Sequence, residues 1–204
     1  MTVIDGAQTD TAQPPLAAMF RARKEIFVDL LGWKVPVIDG QYEIDEFDTE
    51  RATYVVLSDP GGGHLGSARL LPTDGPHLLE AHFPHLCDEA PPVGPDVMEI
   101  SRFCLSRKRP AAERRLVRNR LVSALTDVAL ARGVSTYVGI AEMGWLQQIL
   151  AFGWRCRPLG LPRPCAGRLI GALRIEIDDD TPGLLARAGV YMGEQRARLE
   201  PLAA

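Results

Sequence analysis

Residues 43–50, EIDEFDTE, place five carboxylates within eight positions: Glu43, Asp45, Glu46, Asp48 and Glu50. Like charges this close repel, at a cost that solvent and salt relieve only in part. The run is either a solvated turn, the ordinary fate of clustered charge, or a site for something cationic. A second group stands in VMEISRFCL, residues 97–105. Strand alternation puts Glu99 and Ser101 on one face and Arg102 on the other. A strand buried on both faces should be mostly apolar. Glu99 and Arg102 can share a pocket only if the strand bulges or splays, and bulges cluster near active sites. The competing reading is an edge strand with a polar rim. Arg69, the one cation in GSARLLP, poses the same question. If buried it needs a carboxylate partner, which Asp45 or Asp48 can supply, so a structural salt bridge is its simplest role.

Elements must position these groups. Pro14 and Pro15 precede PLAAMFRARKEIFVDLLGW, a helix-like run that Gly32 can close. ATYVVLS (52–58) and LGSARLLP (65–72) flank DPGGGH and read as a hairpin. Residues 73–96 are Pro-rich and read as an irregular excursion; His77, His82 and His85 fall there as loop residues. The segment 97–105 is strand-like. A helix follows through 111–132, with Val117, Leu121, Ala124, Leu125 and Val128 on one face and Gly133 as its cap. STYVGIA (135–141) is a strand and MGWLQQILAF a short helix ending at Gly153. Strands near 154–158 and 168–177 lead to a last helix with Thr181 at the N-cap and Pro182 at N1. A hairpin followed by strand, helix and strand indicates an α/β mixed sheet.

The bulk numbers bound the rest. The 204 residues, 46% hydrophobic, suffice for one core, so residues 16–204 read as a single domain behind a flexible polar tail, 1–15. With 23 basic and 26 acidic residues the chain lacks the basic excess of a nucleic-acid binder. No apolar run approaches a membrane span. MTVIDGAQTDTAQPP has neither the basic nor the apolar region of a signal peptide. Cys87, Cys104, Cys156 and Cys165 show no zinc spacing and read as reduced thiols, and no acid or cysteine completes a metal site with the histidines. A cytoplasmic location is expected.

MFRARKEIF, LGW, YEIDEFD, GSARLLPTDGPHLL, HFPHLC and MEISRFC occur in the order and spacing of the LuxI-type autoinducer synthases, the N-acyl-homoserine lactone synthases. The resemblance is dense from about Met19 to Cys104 and looser through Gly153 and Trp154. Arg23, Phe27, Trp33, Asp45, Asp48, Arg69, Phe83, Glu99 and Arg102 fall on signature positions of that family. The resemblance implies a GNAT-like three-layer fold, a splayed mixed central sheet flanked by helices. It also implies a reaction. The amine of S-adenosylmethionine attacks an acyl thioester on acyl carrier protein; the methionine carboxylate then closes on its own γ-carbon and expels methylthioadenosine.

On that resemblance the cationic ligand is S-adenosylmethionine, a substrate and not a cofactor, held by Arg23, Phe27, Trp33, Asp45, Asp48, Arg69 and Phe83. Glu43, Glu46 and Glu50 are left as solvated surface. Aromatic rings of the N-terminal segment face the cation and exclude water. The amine must lose a proton, which makes Glu99 the candidate base, with Ser101 beside it; Arg102 can orient Glu99 but also depresses its basicity. N–H groups near Phe103 can stabilise the oxyanion.

SRKRPAAERRLVRNR lacks the glycine-rich pyrophosphate loop of acetyl-CoA enzymes of this fold. Arg107, Lys108, Arg109, Arg114, Arg115 and Arg118 are read as a docking patch for acidic acyl carrier protein, against the alternative of a solvated helix face; acyl-CoA stays possible. Gly139 stands where 3-oxo producers often carry threonine, which points to an unsubstituted or 3-hydroxy chain. Trp145, Leu146, Ile149 and Phe152 line the acyl pocket or are plain core. The rivals are a GNAT-fold N-acyltransferase using acyl-CoA and another amine, and a non-catalytic module. Calcium fits poorly, because YEIDEFDTE lacks the EF-hand glycine and terminal glutamate.

Overall fold

The computed structural model describes residues 1–6 and 11–193. Residues 7–10 of the expected tail, and 194–204 of the expected domain, lie outside the described residues. The strands are β1 (Thr2–Asp5), β2 (Val37–Ile38), β3 (Tyr42–Glu43), β4 (Thr53–Ser58), β5 (His64–Pro72), β6 (Val97–Leu105), β7 (Thr136–Glu142), β8 (Arg155–Pro158), β9 (Arg163–Cys165) and β10 (Arg168–Glu176). The helices are α1 (Pro14–Arg23), α2 (Leu78–His82), α3 (Ala111–Arg132), α4 (Met143–Leu150) and α5 (Thr181–Arg187). Among the described residues the main sheet has eight strands in the order β1-β4-β5-β6-β7-β10-β8, with β9 beside β10, while β2 and β3 form a separate ribbon. It is mixed: β6 and β7 run parallel, and β1 with β4, β4 with β5 and β7 with β10 run antiparallel.

The sequence reads as one domain from residue 16; packing divides the chain into two compact units, Met1–Leu70 with Arg102–Leu121, and Leu71–Ser101 with Val122–Ala204. In the first unit, the hairpin turn closes because Asp59 Oδ1 accepts the N–H groups of Gly61 and Gly63 at 3.0 and 2.8 Å. Gly62 takes φ +82°, which a side chain would resist. Leu16, Met19, Phe20 and Arg23 are all buried in α1, at the spacing of one helix face, so Arg23 is carried inward with the apolar stripe. The helix continues as a π-helical stretch, Lys24–Leu30, and ends where Gly32 turns left-handed at φ +68°.

The second unit packs Leu79, Leu86, Val97, Val138, Ile170 and Ala172 together, with Phe83 and Ile140 against them. Parallel pairing of β6 with β7 runs from Val97–Thr136 to Ile100–Gly139 and stops there, although both strands continue.

Three local expectations change. The start of the expected tail is a strand, because Thr2–Asp5 finds backbone partners along β4 and Asp5 accepts the Thr53 hydroxyl at 2.6 Å. The excursion 73–96 contains α2 and a 3₁₀ turn, Pro84–Leu86. The last helix starts one residue early: Thr181 is its first residue and Asp180 holds the N-cap position without a side-chain capping bond. Among the described residues no helix is long and apolar enough to cross a membrane.

Candidate active site

The acidic run resolves into two populations. Glu46 and Glu50 are exposed, as expected, whereas Glu43, Asp45 and Asp48 are buried. Glu43, read from sequence as surface, is fully enclosed, and the reason is its partners. It accepts Arg23 Nε at 2.5 Å on one oxygen and Arg102 Nε at 3.0 Å on the other. Arg23 also grips Asp48 with both terminal nitrogens, at 2.8 and 2.7 Å. Arg69 grips Asp45 the same way, at 2.5 and 3.1 Å, and lies 2.9 Å from Asp48. Arg102 Nη2 reaches Asp45 at 2.6 Å, and the Tyr54 hydroxyl donates to Asp48 at 2.8 Å.

Three guanidinium groups thus face three carboxylates inside one unit, joined by two-pronged contacts that fix angle as well as distance. Burial alone would drive Arg23 toward neutrality; Asp48 and Glu43 more than offset it and hold the group charged. Burial likewise works against ionised Asp48, but Arg23, Arg69 and the Asp45 N–H hold its carboxyl well below the usual range. Burial and the neighbouring Asp48 charge push the Tyr54 hydroxyl up, so it stays a donor. The three buried carboxylates are therefore matched by three arginines.

Local backbone explains how these groups meet. Glu43 and Asp45 share a face by two-residue alternation, and Asp45 and Asp48 are tied by a turn in which the Asp45 N–H donates to Asp48 at 2.8 Å. Arg102 has φ +50°, rare for a side chain of this size. That left-handed residue breaks the alternation of β6 and delivers Arg102 to Glu43 and Asp45. Its expected partner was Glu99; the bonds it makes here go to the acidic run. Phe27 and Trp33 stack with centroids 4.7 Å apart, and the Arg102 guanidinium lies 5.6 and 6.0 Å from their rings. The π-helical stretch turns Phe27 inward, and such irregular helix turns are frequent at functional sites.

In the second unit, Glu99 and Ser101 are buried, and Glu99 Oε2 accepts the Leu79 N–H at 2.6 Å. Phe83 is half-buried against the core just described. Gly139 lies so close to β6 that a Cβ there would fall 3.0 Å from the Ile100 carbonyl. Trp145 meets Phe152 edge-on at 5.7 Å, Leu146 and Ile149 are buried, and the Trp154 indole N–H donates to the Ile149 carbonyl at 2.9 Å. A cavity of about 690 Å³ lies elsewhere in this unit, lined by Asp88, Glu89, Arg157, Leu161 and Arg174 among others, and it includes none of the expected site residues.

Of the basic stretch, Arg107, Lys108 and Arg115 are exposed and Phe103 is half-buried. Lys108 pairs with Glu25 at 3.1 Å on the surface, Arg109 is tied to Asp59 at 3.1 Å and Arg118 to the Asn119 side chain at 2.9 Å, so these three are partly committed within the fold. His77, expected as a loop residue, is fully buried as the N-cap residue of α2; His82 and His85 are exposed. Among the described residues no cluster of histidine, cysteine and acid could hold a metal. Sequence reasoning missed Glu43, Tyr54 and His77. Only the alternation of 43 with 45 carried a signal for any of them.

A sheet of this order, mixed and flanked by helices, is the acyltransferase type of α/β fold. The chain belongs to the autoinducer synthase family, whose model matches residues 8–183. It is 40% identical over 154 residues to an acyl-homoserine-lactone synthase of Rhizobium etli, covering 74% of this chain and 72% of that one. It is 37% identical over 179 residues to another from Ralstonia nicotianae, covering 85% and 87%. Among solved structures it resembles BjaI, a CoA-dependent acyl-homoserine lactone synthase with S-adenosylmethionine and isopentyl-CoA, at TM-score 0.81 and 27% identity, over 93% of this chain and 90% of that one. The protein is an enzyme of the acyltransferase class.

Proposed function

We propose that this chain makes an acyl-homoserine lactone from S-adenosylmethionine and an acyl group carried on acyl carrier protein. The observation that carries the reading is the buried network in which Arg23, Asp45, Asp48, Arg69 and Arg102, all on family signature positions, join Glu43. The likeness to a synthase holding S-adenosylmethionine supports the substrate. Because each carboxylate already faces an arginine, the network's role is to fix the N-terminal segment and the stacked Phe27 and Trp33 rings. Rings so held can face a sulfonium with water excluded.

The α-ammonium of the substrate must lose its proton before it attacks, and Glu99 takes it, directly or through a water. The amine adds to the thioester carbonyl, the N–H groups near Phe103 stabilise the oxyanion, and the thiol leaves. The methionine carboxylate then attacks its own γ-carbon and methylthioadenosine departs. That step is intramolecular, and good orientation alone is worth roughly 7–11 kcal/mol. Gly139 favours an unsubstituted or 3-hydroxy chain, with Trp145, Leu146, Ile149 and Phe152 beside it.

Exposed Arg107, Lys108 and Arg115 support a carrier-protein donor, and the glycine turn offers no phosphate cradle because Asp59 already accepts the Gly61 and Gly63 N–H groups. A second reading, acyl-CoA as donor, is favoured by the CoA-dependent structural relative. The two separate by comparing kcat/KM for one acyl chain on carrier protein and on CoA, read as methylthioadenosine released. The carrier-protein reading requires the first to be larger; a larger value with CoA replaces it.

A further inference from the structure

The five-residue helix α2 lacks a side-chain cap. Its N-cap residue is His77, whose side chain makes no capping bond. Helix starts leave N–H groups that need acceptors, and Ser, Thr, Asp or Asn usually supplies one. Here the acceptor comes from another strand: the Leu79 N–H donates to Glu99 Oε2 at 2.6 Å. Leu79 and Glu99 are 0% and 1% exposed, so this bond is shielded from water.

His77 stands two residues before that donor. Its Nδ1 lies 2.9 Å from the Gly75 carbonyl, which can only accept, so the proton sits on Nδ1. Its own carbonyl accepts the Ala81 N–H at 3.0 Å and starts the helix turn. The ring is fully enclosed, and its Nε2 is buried with no hydrogen-bond partner among the described residues. Native proteins seldom leave such an atom unsatisfied without a reason. Leu79 then continues the helix by accepting the Phe83 N–H at 3.1 Å. One short element thus carries both the donor to Glu99 and the ring of Phe83.

We infer that the first turn of α2 is the positioning element for Glu99: the Leu79 N–H sets one carboxylate oxygen, and His77 sets Leu79. The inference rests on the reading of Glu99 as the base that takes the amine proton. A backbone N–H favours the carboxylate over the acid and fixes its plane, so Glu99 is aimed when substrate arrives. His77 touches no reacting atom and acts through Leu79.

The test removes that single donor. Leu79 is replaced by its α-hydroxy acid, which turns the N–H into an ester oxygen and leaves the side chain in place. The acid limb of the kcat–pH profile should move to higher pH by about one unit, with KM for S-adenosylmethionine within about twofold. His77→Leu should shift the limb in the same direction and His77→Asn, which keeps a polar tether, should restore most of it. Glu99→Gln is measured alongside. If it turns over normally, the base reading fails and this inference with it. If it is inactive while the ester leaves the acid limb unmoved and lowers only the Tm, the inference alone is overturned.

Discussion

At the scale of single residues, Glu43 shows what a buried partner set demands. It alone of the six charged groups bridges Arg23 and Arg102. Glu43→Gln leaves two buried guanidinium groups short of countercharge and should destabilise the fold by about 3 kcal/mol. Urea unfolding checks this, and a loss within error of zero would show the network to be solvated. His64 makes a different prediction. Its Nε2 lies 2.9 Å from the Ser67 hydroxyl, and burial, with Lys108 adding to it, pushes its pKa from 6.5 down to about 4. The unfolded chain therefore binds a proton between those values that the folded chain refuses. The stability His64 contributes is complete above pH 6.5 and is lost as pH falls toward 4. Tm should drop across that window, and His64→Gln should flatten the drop.

At the scale of elements, the 3₁₀ turn and the β8–β9 connection are stitched together: the Asp88 N–H donates to the Leu159 carbonyl at 2.9 Å. Gly160 permits this approach, since a Cβ there would fall 2.6 Å from the Leu86 carbonyl oxygen. Gly160→Ala should cost about 2 kcal/mol in urea unfolding, and an unchanged midpoint would show that the loop can yield. The basic stretch that runs into α3 is tested by function. Arg107→Glu, Lys108→Glu and Arg115→Glu together should raise KM for acyl carrier protein about tenfold, leave kcat nearly constant and flatten the salt dependence. Equal effects with acyl-CoA would remove the docking role. Elements with strong local signals were legible in the sequence. The hairpin announced itself by DPGGGH, and α3 by its apolar spacing. β1 was not legible, because TVID is too short to be a strand until β4 lends it partners. Nor was α2, whose cap lies on Glu99, twenty residues further along the chain.

At the scale of the whole molecule, the order of motifs gave the family and the fold, since Arg23, Asp45, Asp48 and Arg69 lie within one stretch of chain. The paired state of the acids was hidden, because Glu43 draws one partner from α1 and another from β6, 20 and 59 residues away in the chain. A run of like charge cannot reveal by itself that distant arginines neutralise it. The chemistry ascribed to the molecule is two bond-forming steps on one substrate, amide formation and lactone closure. They are read together by incubating purified protein with S-adenosylmethionine and an acyl donor, on carrier protein and on CoA in parallel, and following products by mass spectrometry. Acyl-homoserine lactone and methylthioadenosine are expected in equal amounts, and neither from an Asp48→Ala control. An acylated amine without methylthioadenosine, or no acyl transfer from either donor by folded protein, would contradict that chemistry.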